Sequence, residues 1–286
     1  MALVQERVLP ALWRIALYAL LVVLSLLFLL PFIWMISTSL KTDPQVYRVP
    51  PVWIPKPVRW LNYPEALTSL PFLSYFLNTM KIALPATIGT LISSALTAYG
   101  FSRIRWPERD ALFYVCVATM MIPFQVQMIP LFVTFKQLGW INTYWPLIVP
   151  TFFASPFSVF MLRQFFLTIP QELSDAARID GCSELGIFMR IILPLAKPAL
   201  AVVALFTFMW AWSDYLGPLI YVNQTSKFTV ALGLQLLRAT FHSANQTLVW
   251  PYLMAASTTA ILPVLFLFFF AQRTFIEGIS LTGIKG

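Results

Sequence analysis

The chain has 286 residues, of which 59% are hydrophobic and only 10% are charged, against about 25% charged residues in an ordinary soluble domain. The apolar residues fall in long runs, which excludes a soluble domain of useful size and indicates a single membrane domain over residues 1–286. The net charge of +8 comes from Lys and Arg residues scattered between the apolar runs, so no nucleic-acid-binding face is predicted.

The first three predicted spans each have enough apolar residues, about 20, to cross a bilayer. Span one covers about residues 15–36, and a Pro-rich, aromatic loop over 37–73 follows, in which the prolines argue against regular structure. Span two, about 75–101, is rich in small residues and should lie inside a helix bundle. Span three, about 111–135, contains Pro123, which predicts a bend.

Three further spans are predicted after a short loop. Span four covers about residues 146–166 and leads into a polar loop over 168–198. Span five covers about 199–221, a second polar loop covers 222–250, and span six covers about 251–271. Six spans place both termini on one side, and assigning that side to the cytoplasm leaves more Lys and Arg residues inside than outside. The 168–198 loop is then cytoplasmic.

The 168–198 loop has the pattern of a short helix over about residues 170–180. Glu172 and Asp175 lie early in it, where the helix macrodipole favours negative charge. Gly181 lies where such a helix would stop, because glycine adopts the left-handed conformation of a helix cap at little cost. A second helix should follow and end near Pro194.

The spacing within this loop carries a resemblance to a known family. Its fixed positions are Asp175, Ala176, Ala177, Gly181, Ile191, Leu193 and Pro194. This pattern resembles the Glu-Ala-Ala-x3-Gly-x9-Ile-x-Leu-Pro loop of the membrane subunits of ATP-binding-cassette (ABC) importers, with Asp175 in place of Glu. Stretches over 142–150, 155–173, 190–200 and 207–219 and the terminal GIKG look like the carbohydrate-type permeases of the maltose-importer kind, and the resemblance covers most of 70–286.

The resemblance implies an all-α membrane protein with six transmembrane helices and a cytoplasmic coupling helix, the type I ABC importer permease fold. It implies a multi-pass subunit of a bacterial or archaeal cytoplasmic membrane. Its partners would be a second, different permease, two ATPase subunits, an extracytoplasmic solute-binding protein, membrane lipid and a carbohydrate substrate. The coupling helix would dock in a cleft of one ATPase subunit and move when ATP closes the ATPase dimer.

The residues that the resemblance assigns to the ATPase contact are Glu172, Asp175, Ala176, Ala177, Asp180 and Gly181. Among them Ala177 and Gly181 would be the most constrained sterically. Asp175 is one methylene shorter than the usual Glu, so the resemblance does not decide whether this position forms a salt bridge to the ATPase.

No catalytic chemistry is predicted for the chain itself. The nearest match to a phosphate-binding loop, residues 278–285, lacks the Lys that must follow the second glycine, so ATP and Mg²⁺ would be bound by partner subunits and this chain would not be an enzyme. A single His and the absence of a Cys pair at ligand spacing argue against a metal centre. Cys116 lies in an apolar run and Cys182 in a polar loop, so no disulfide is predicted.

The substrate contacts are not identified by the sequence. Trp210, Trp212 and Asp214 could stack on a sugar and hydrogen bond to it, although anchoring of the tryptophans at the membrane interface and a solvated helix end for Asp214 are the competing interpretations. Two other classes of function stay open: a stand-alone secondary transporter or channel, and a membrane scaffold without conduction.

Overall fold

A computed structural model describes residues 11–243 and 249–282. Within these ranges the chain is helical and forms no β-strand, which confirms the predicted all-α fold class. The helices there are α1 (Ala11–Ser39), α2 (Asp43–Val46), α3 (Asn62–Ser69), α4 (Phe72–Arg103), α5 (Arg109–Ala118), α6 (Phe124–Gln137), α7 (Trp145–Ile148), α8 (Pro156–Thr168), α9 (Gln171–Ile179), α10 (Glu184–Ile187), α11 (Leu193–Leu195), α12 (Lys197–Ser213), α13 (Leu216–Tyr221), α14 (Val230–Ser243) and α15 (Val249–Thr282).

Several of these helices are long and apolar enough to cross a membrane. Among the described residues, four segments meet this condition on their own: Trp13–Ser39, Phe72–Arg103, Trp145–Thr168 and Trp250–Gln272. Two bent pairs also meet it: Arg109–Met121 with Phe124–Gln137, at 95°, and Glu184–Leu195 with Lys197–Ser213, at 80°. The total reaches six, the number that the sequence predicts, if each bent pair is one span.

Other sequence predictions need correction. The loop over 37–73 contains α2 and α3, because Pro44 and Pro64 lie in first helical turns, where a missing N–H is tolerated. Span five does not continue to residue 221, since α12 ends at Ser213 and α13 is a separate short helix. The loop over 222–250 contains α14. The predicted cytoplasmic Arg7, residues 244–248 and the terminal GIKG lie outside the described residues.

The contacts divide the chain into two compact units. The first consists of Met1–Ser69 with Leu237–Thr259, and the second consists of Leu70–Leu236 with Ala260–Gly286.

In the first unit, buried polar side chains hold the segment that follows α1. The Asn62 side-chain amide donates to the carbonyls of Ser39 and Lys41, both at 2.8 Å. The Lys41 ammonium is fully buried and lies 3.6 Å from the centre of the Trp34 ring, a cation–π contact. Such contacts give this segment an ordered fold even though it is rich in proline.

In the second unit, α4 is the central helix and packs against α8 and α12. Its small residues line the packed face, with Ala83, Ala86 and Ala98 almost fully buried, as the small-residue pattern predicts. A Cβ atom built on Gly89 would lie 2.6 Å from the Phe152 ring, so only glycine allows this close approach. In the second unit, neighbouring segments therefore pack directly against the backbone of α4.

The interrupted spans have their free backbone groups satisfied by side chains. At the break directly before α8, the N–H of Ala154 donates to Ser93 Oγ and the N–H of Ser155 donates to Ser94 Oγ, both at 3.1 Å. At the predicted bend before α6, the Gln127 amide donates to the carbonyl of Ile122 at 3.1 Å. Irregular backbone is tolerated at membrane depth only where such partners, or water, are present.

Candidate functional site

The candidate site is the loop that begins with α9, and its first feature is a complete helix cap. The helix ends at Ile179, and Gly181 has φ +80. The N–H of Gly181 donates to the carbonyl of Arg178 at 3.1 Å, and the N–H of Cys182 donates to the carbonyl of Ala177 at 2.9 Å. This is the Schellman arrangement, in which glycine permits the left-handed residue. The predicted stop at Gly181 is confirmed.

The two alanines of the motif lie on different faces of α9. Ala177 is only 7% exposed and packs in the core cluster with Phe166, Ile187 and Phe188, whereas Ala176 is exposed. Successive residues of an α-helix differ by about 100° around the axis, and here that rotation places Ala177 in the core and leaves Ala176 open to a partner. Ala177 is therefore sterically constrained by its own chain, and its predicted contact with an ATPase subunit stays a prediction.

The opposite side of α9 is unusually apolar for an exposed surface. Ile179 is 87% exposed, and Leu173 and Ala176 are exposed beside it. We call this surface the exposed face of α9. It consists of Glu172, Leu173, Asp175, Ala176, Ile179 and Asp180. The face thus combines three carboxylates with three apolar side chains.

A polar network joins α9 to α10 and to α4. The Arg178 guanidinium donates to both carboxylate oxygens of Glu184, at 2.7 and 3.3 Å, and to Asp175 at 2.6 Å. The hydrogen bond to Glu184, aided by the negative charges, raises the pKa of Arg178 above its usual value. The Tyr99 hydroxyl on α4 donates to Glu184 at 2.5 Å. Glu184 therefore receives bonds from both α9 and α4.

Arg103, one helical turn after Tyr99 on α4, fixes the segment that enters α9. The residue is only 4% exposed, and its guanidinium donates to the carbonyls of Phe166 and Ile169. It also donates to the side-chain oxygen of Gln171 at 2.9 Å. The carbonyls at the end of α8 are thereby capped by a positive charge, which the helix dipole favours at a C-terminus.

Sequence reasoning missed this network. Tyr99 and Arg103 are four residues apart, a spacing that places both on one face of α4. Sequence reasoning places Tyr99 in span two and Arg103 in the loop after it, so it gives no sign that they share a helix face. Glu184 is six residues after Arg178, and only the reversal at Gly181 brings the two side chains together.

The structure separates the three weak candidates for substrate contact. Trp212 is buried, donates its indole N–H to the carbonyl of Ala260 at 3.1 Å and packs against Phe208, so it is a core residue. Trp210 is 67% exposed and, with Asp214, lines a cavity of 360 Å³. Asp214 directly follows the last residue of α12, accepts from the N–H of Gly217 at 3.0 Å and is half-buried, so it lies at a helix end and also lines this cavity.

A second cavity, of 630 Å³, shares Trp210 with the first. It is lined by α4, α6, α8 and α12 and by the segment over 149–155, which contains a 3₁₀-helix, Val149–Phe153, and the link to α8. The second unit is thus a bundle of long apolar helices that encloses two cavities and carries the loop helix α9.

Comparison with known proteins gives the family. Residues 91–280 match the family model described as binding-protein-dependent transport system inner membrane component. The chain is 35% identical over 277 residues to the arabinooligosaccharides transport system permease protein AraQ of Bacillus subtilis (strain 168), covering 96% of both chains. It is 32% identical over 269 residues to the sn-glycerol-3-phosphate transport system permease protein UgpE of Yersinia enterocolitica, covering 92% of this chain and 94% of the relative.

Two solved structures have the same fold. One is a bacterial ABC transporter involved in the import of the acidic polysaccharide alginate, with a TM-score of 0.80, 24% identity and coverage of 92% and 96%. The other is a bacterial alginate ABC transporter in complex with an alginate pentasaccharide-bound periplasmic protein, with a TM-score of 0.65, 16% identity and coverage of 94% and 96%. The chain belongs to the binding-protein-dependent transport system inner membrane component family, and it is a multi-pass membrane permease. The resemblance inferred from the loop is confirmed.

Proposed function

We propose that this chain is one of two different permease subunits in an ATP-driven importer, and that it forms half of the translocation pathway for a carbohydrate. The carbohydrate class is supported by relatives named for arabinooligosaccharides and by the sugar-type stretches over 142–219. The other partners would be two ATPase subunits, which bind ATP and Mg²⁺, and an extracytoplasmic solute-binding protein. Both termini would be cytoplasmic, on the side of the 168–198 loop.

The observation that carries the proposal is the exposed face of α9. Ile179 and Leu173 are large apolar side chains on a polar loop, where a chain without a partner gains nothing by exposing them. An apolar centre with a carboxylate rim is the composition of a docking interface. We propose that this face docks in a cleft of an ATPase subunit, with Glu172, Asp175 and Asp180 at the edge of the contact.

The polar network behind this face supplies a means of transmitting movement. A force on α9 would reach α4 by two routes, through Arg178, Glu184 and Tyr99 and through Gln171 and Arg103. Since α4 packs along α8 and α12, its displacement would move the central packing of the second unit. Closing of the ATPase dimer would in this way change the pathway from inward-facing to outward-facing.

The test is the substitution Ile179→Asp, with Val49→Asp as its matched control. Both residues are strongly exposed apolar side chains, at 87% and 89%, so neither substitution should unfold the chain. Val49 lies on the segment between α2 and α3. In proteoliposomes with the complete importer, we expect Ile179→Asp to abolish ATPase binding and uptake by desolvating a charge in an apolar contact, and Val49→Asp to preserve both.

Three outcomes decide the proposal. If Ile179→Asp binds the ATPase and transports normally, α9 is not the docking helix. Uptake by the purified chain alone, driven by an ion gradient and indifferent to ATP, would establish a secondary transporter or channel. If removal of the protein impairs the uptake of no solute, the chain is a scaffold.

A further inference from the structure

The 630 Å³ cavity of the second unit has a size typical of small-molecule sites, which are about 300–1,000 Å³. It lies where two spans are interrupted. The segment over 149–155 lines it directly, and Gln127, whose amide nitrogen caps the bend before α6, projects from another side. Interrupted backbone at membrane depth occurs where it is buried in protein or lines a water-filled cavity. This cavity therefore has the surroundings of a hydrated passage.

Several polar groups in its wall have no partner within the described chain. The hydroxyls of Thr90, Ser155 and Thr207 make no hydrogen bond there, although Thr90 is only 3% exposed. None of these three hydroxyl oxygens is a sealed buried atom, so each is free to bond to a molecule inside the cavity. Water or a bound molecule with its own hydroxyls would supply the missing bonds.

Trp210 adds a large, accessible aromatic ring to the same wall. It is 67% exposed, unlike Trp212 two residues later, and it makes no ring contact with another aromatic residue of the described chain. An aromatic face beside hydroxyl and amide groups matches the two surfaces of a sugar ring, which has an apolar face of C–H groups and a hydroxyl-bearing edge.

The charge of the wall restricts the type of sugar. None of the residues that line the 630 Å³ cavity in the described chain is charged, and the cavity of 360 Å³ that shares Trp210 contains Asp214 and no cation. A carboxylate or phosphate on the substrate would lose its hydration without gaining a positive partner, and would face a carboxylate in the neighbouring cavity.

On the basis of the proposed function, we propose that this cavity is a binding site for a neutral carbohydrate. A sugar ring stacks on Trp210, and its hydroxyls bond to Thr90, Thr207 and the side-chain oxygen of Gln127. The absence of charge in the wall selects neutral sugars over acidic or phosphorylated ones. The chain thereby contributes directly to substrate recognition during passage.

The experiment uses the complete importer with its binding protein in proteoliposomes. Uptake and ATP hydrolysis are measured with a neutral arabino-oligosaccharide and with an alginate oligosaccharide of equal length. We expect Trp210→Ala to lower the maximal rate of neutral-sugar uptake by about 2- to 10-fold, as expected for the loss of an aromatic contact, with the apparent KM for loaded binding protein unchanged. Trp210→Phe, which keeps a ring, should recover most of the rate.

The control is Trp60→Ala, which removes a tryptophan of similar exposure, 69%, from the first unit. It should leave uptake unchanged. Equal rates for wild type and Trp210→Ala would overturn the site, and uptake of the acidic oligosaccharide at a rate that depends on Trp210 would overturn the neutral class. Failure of the proposed function has a different signature, since ATP-dependent uptake of every sugar would then be absent in the wild type.

Discussion

The most direct test of the capped loop is the substitution Gly181→Ala. Gly181 has φ +80, and a Cβ atom added there would meet nothing within 4 Å, so the cost is conformational and not steric. Placing an L-residue in the left-handed region costs about 1–2 kcal/mol. Because about 1.4 kcal/mol corresponds to a factor of ten in an equilibrium constant, the population of the capped conformation should fall about 5- to 30-fold relative to uncapped conformations. The bonds to the carbonyls of Arg178 and Ala177 are then weakened together.

The assay is ATP hydrolysis stimulated by loaded binding protein, measured in proteoliposomes with the complete importer. We expect Gly181→Ala to insert normally but to lose most of the stimulation. Gly139→Ala is the matched control, since Gly139 has φ +70, is equally free of neighbours within 4 Å and follows α6 instead of α9. Equal losses in both variants would attribute the effect to general strain, and full stimulation in Gly181→Ala would refute the role of the cap.

Two further predictions concern the two units separately. Arg103→Met should destabilise the protein by about 3 kcal/mol, because it removes a buried charged donor and leaves its acceptors unpaired. Thermal unfolding in detergent measures this loss, and the control Arg190→Met, at an exposed arginine, should show none. The hydrogen bond from Tyr252 and the positive charge of Arg59 hold the pKa of Glu65 below its usual value of 4.5. The ionised carboxylate should therefore stabilise the folded first unit above pH 4.5, and this stabilisation should be lost as the pH falls and Glu65 becomes protonated. The difference in unfolding temperature between wild type and Glu65→Gln should therefore shrink below pH 4.5, and a difference independent of pH would contradict this assignment.

The helical spans could be predicted from the sequence because the signal is long and simple. A run of about 20 apolar residues must satisfy its own backbone in lipid, and a helix does so without any information from elsewhere in the chain. The small residues of α4 likewise predict close packing, because small side chains allow the backbones of neighbouring helices to approach each other. The stop at Gly181 was equally local, because the cap depends on one residue's φ.

The orientation of α9 and the bends could not be predicted in this way. Pro123 is compatible with a straight span, a kink or the 95° break that the structure has, and the choice depends on whether Gln127 can cap the freed carbonyl. The faces of Ala176 and Ala177 depend on where the core lies, which the motif does not contain. The prolines of residues 37–73 predict a segment without regular structure, but the effect of a proline depends on its position within a helical turn.

The network behind α9 combines two kinds of contact that should differ in mechanical importance. The Arg178–Glu184 pair is one-third to nearly one-half exposed, and exposed pairs typically contribute only about 0.2–1 kcal/mol. Arg103 is buried, and losing one of its carbonyl contacts leaves a desolvated group without a partner, which costs more. A force applied to α9 would therefore separate Arg178 from Glu184 before it separates Arg103 from Ile169. We expect the coupling of ATP hydrolysis to uptake to tolerate Arg178→Lys far better than Arg103→Lys. Both guanidinium groups donate to three oxygens, but only the acceptors of the buried Arg103 would be left without water in place of a lost bond.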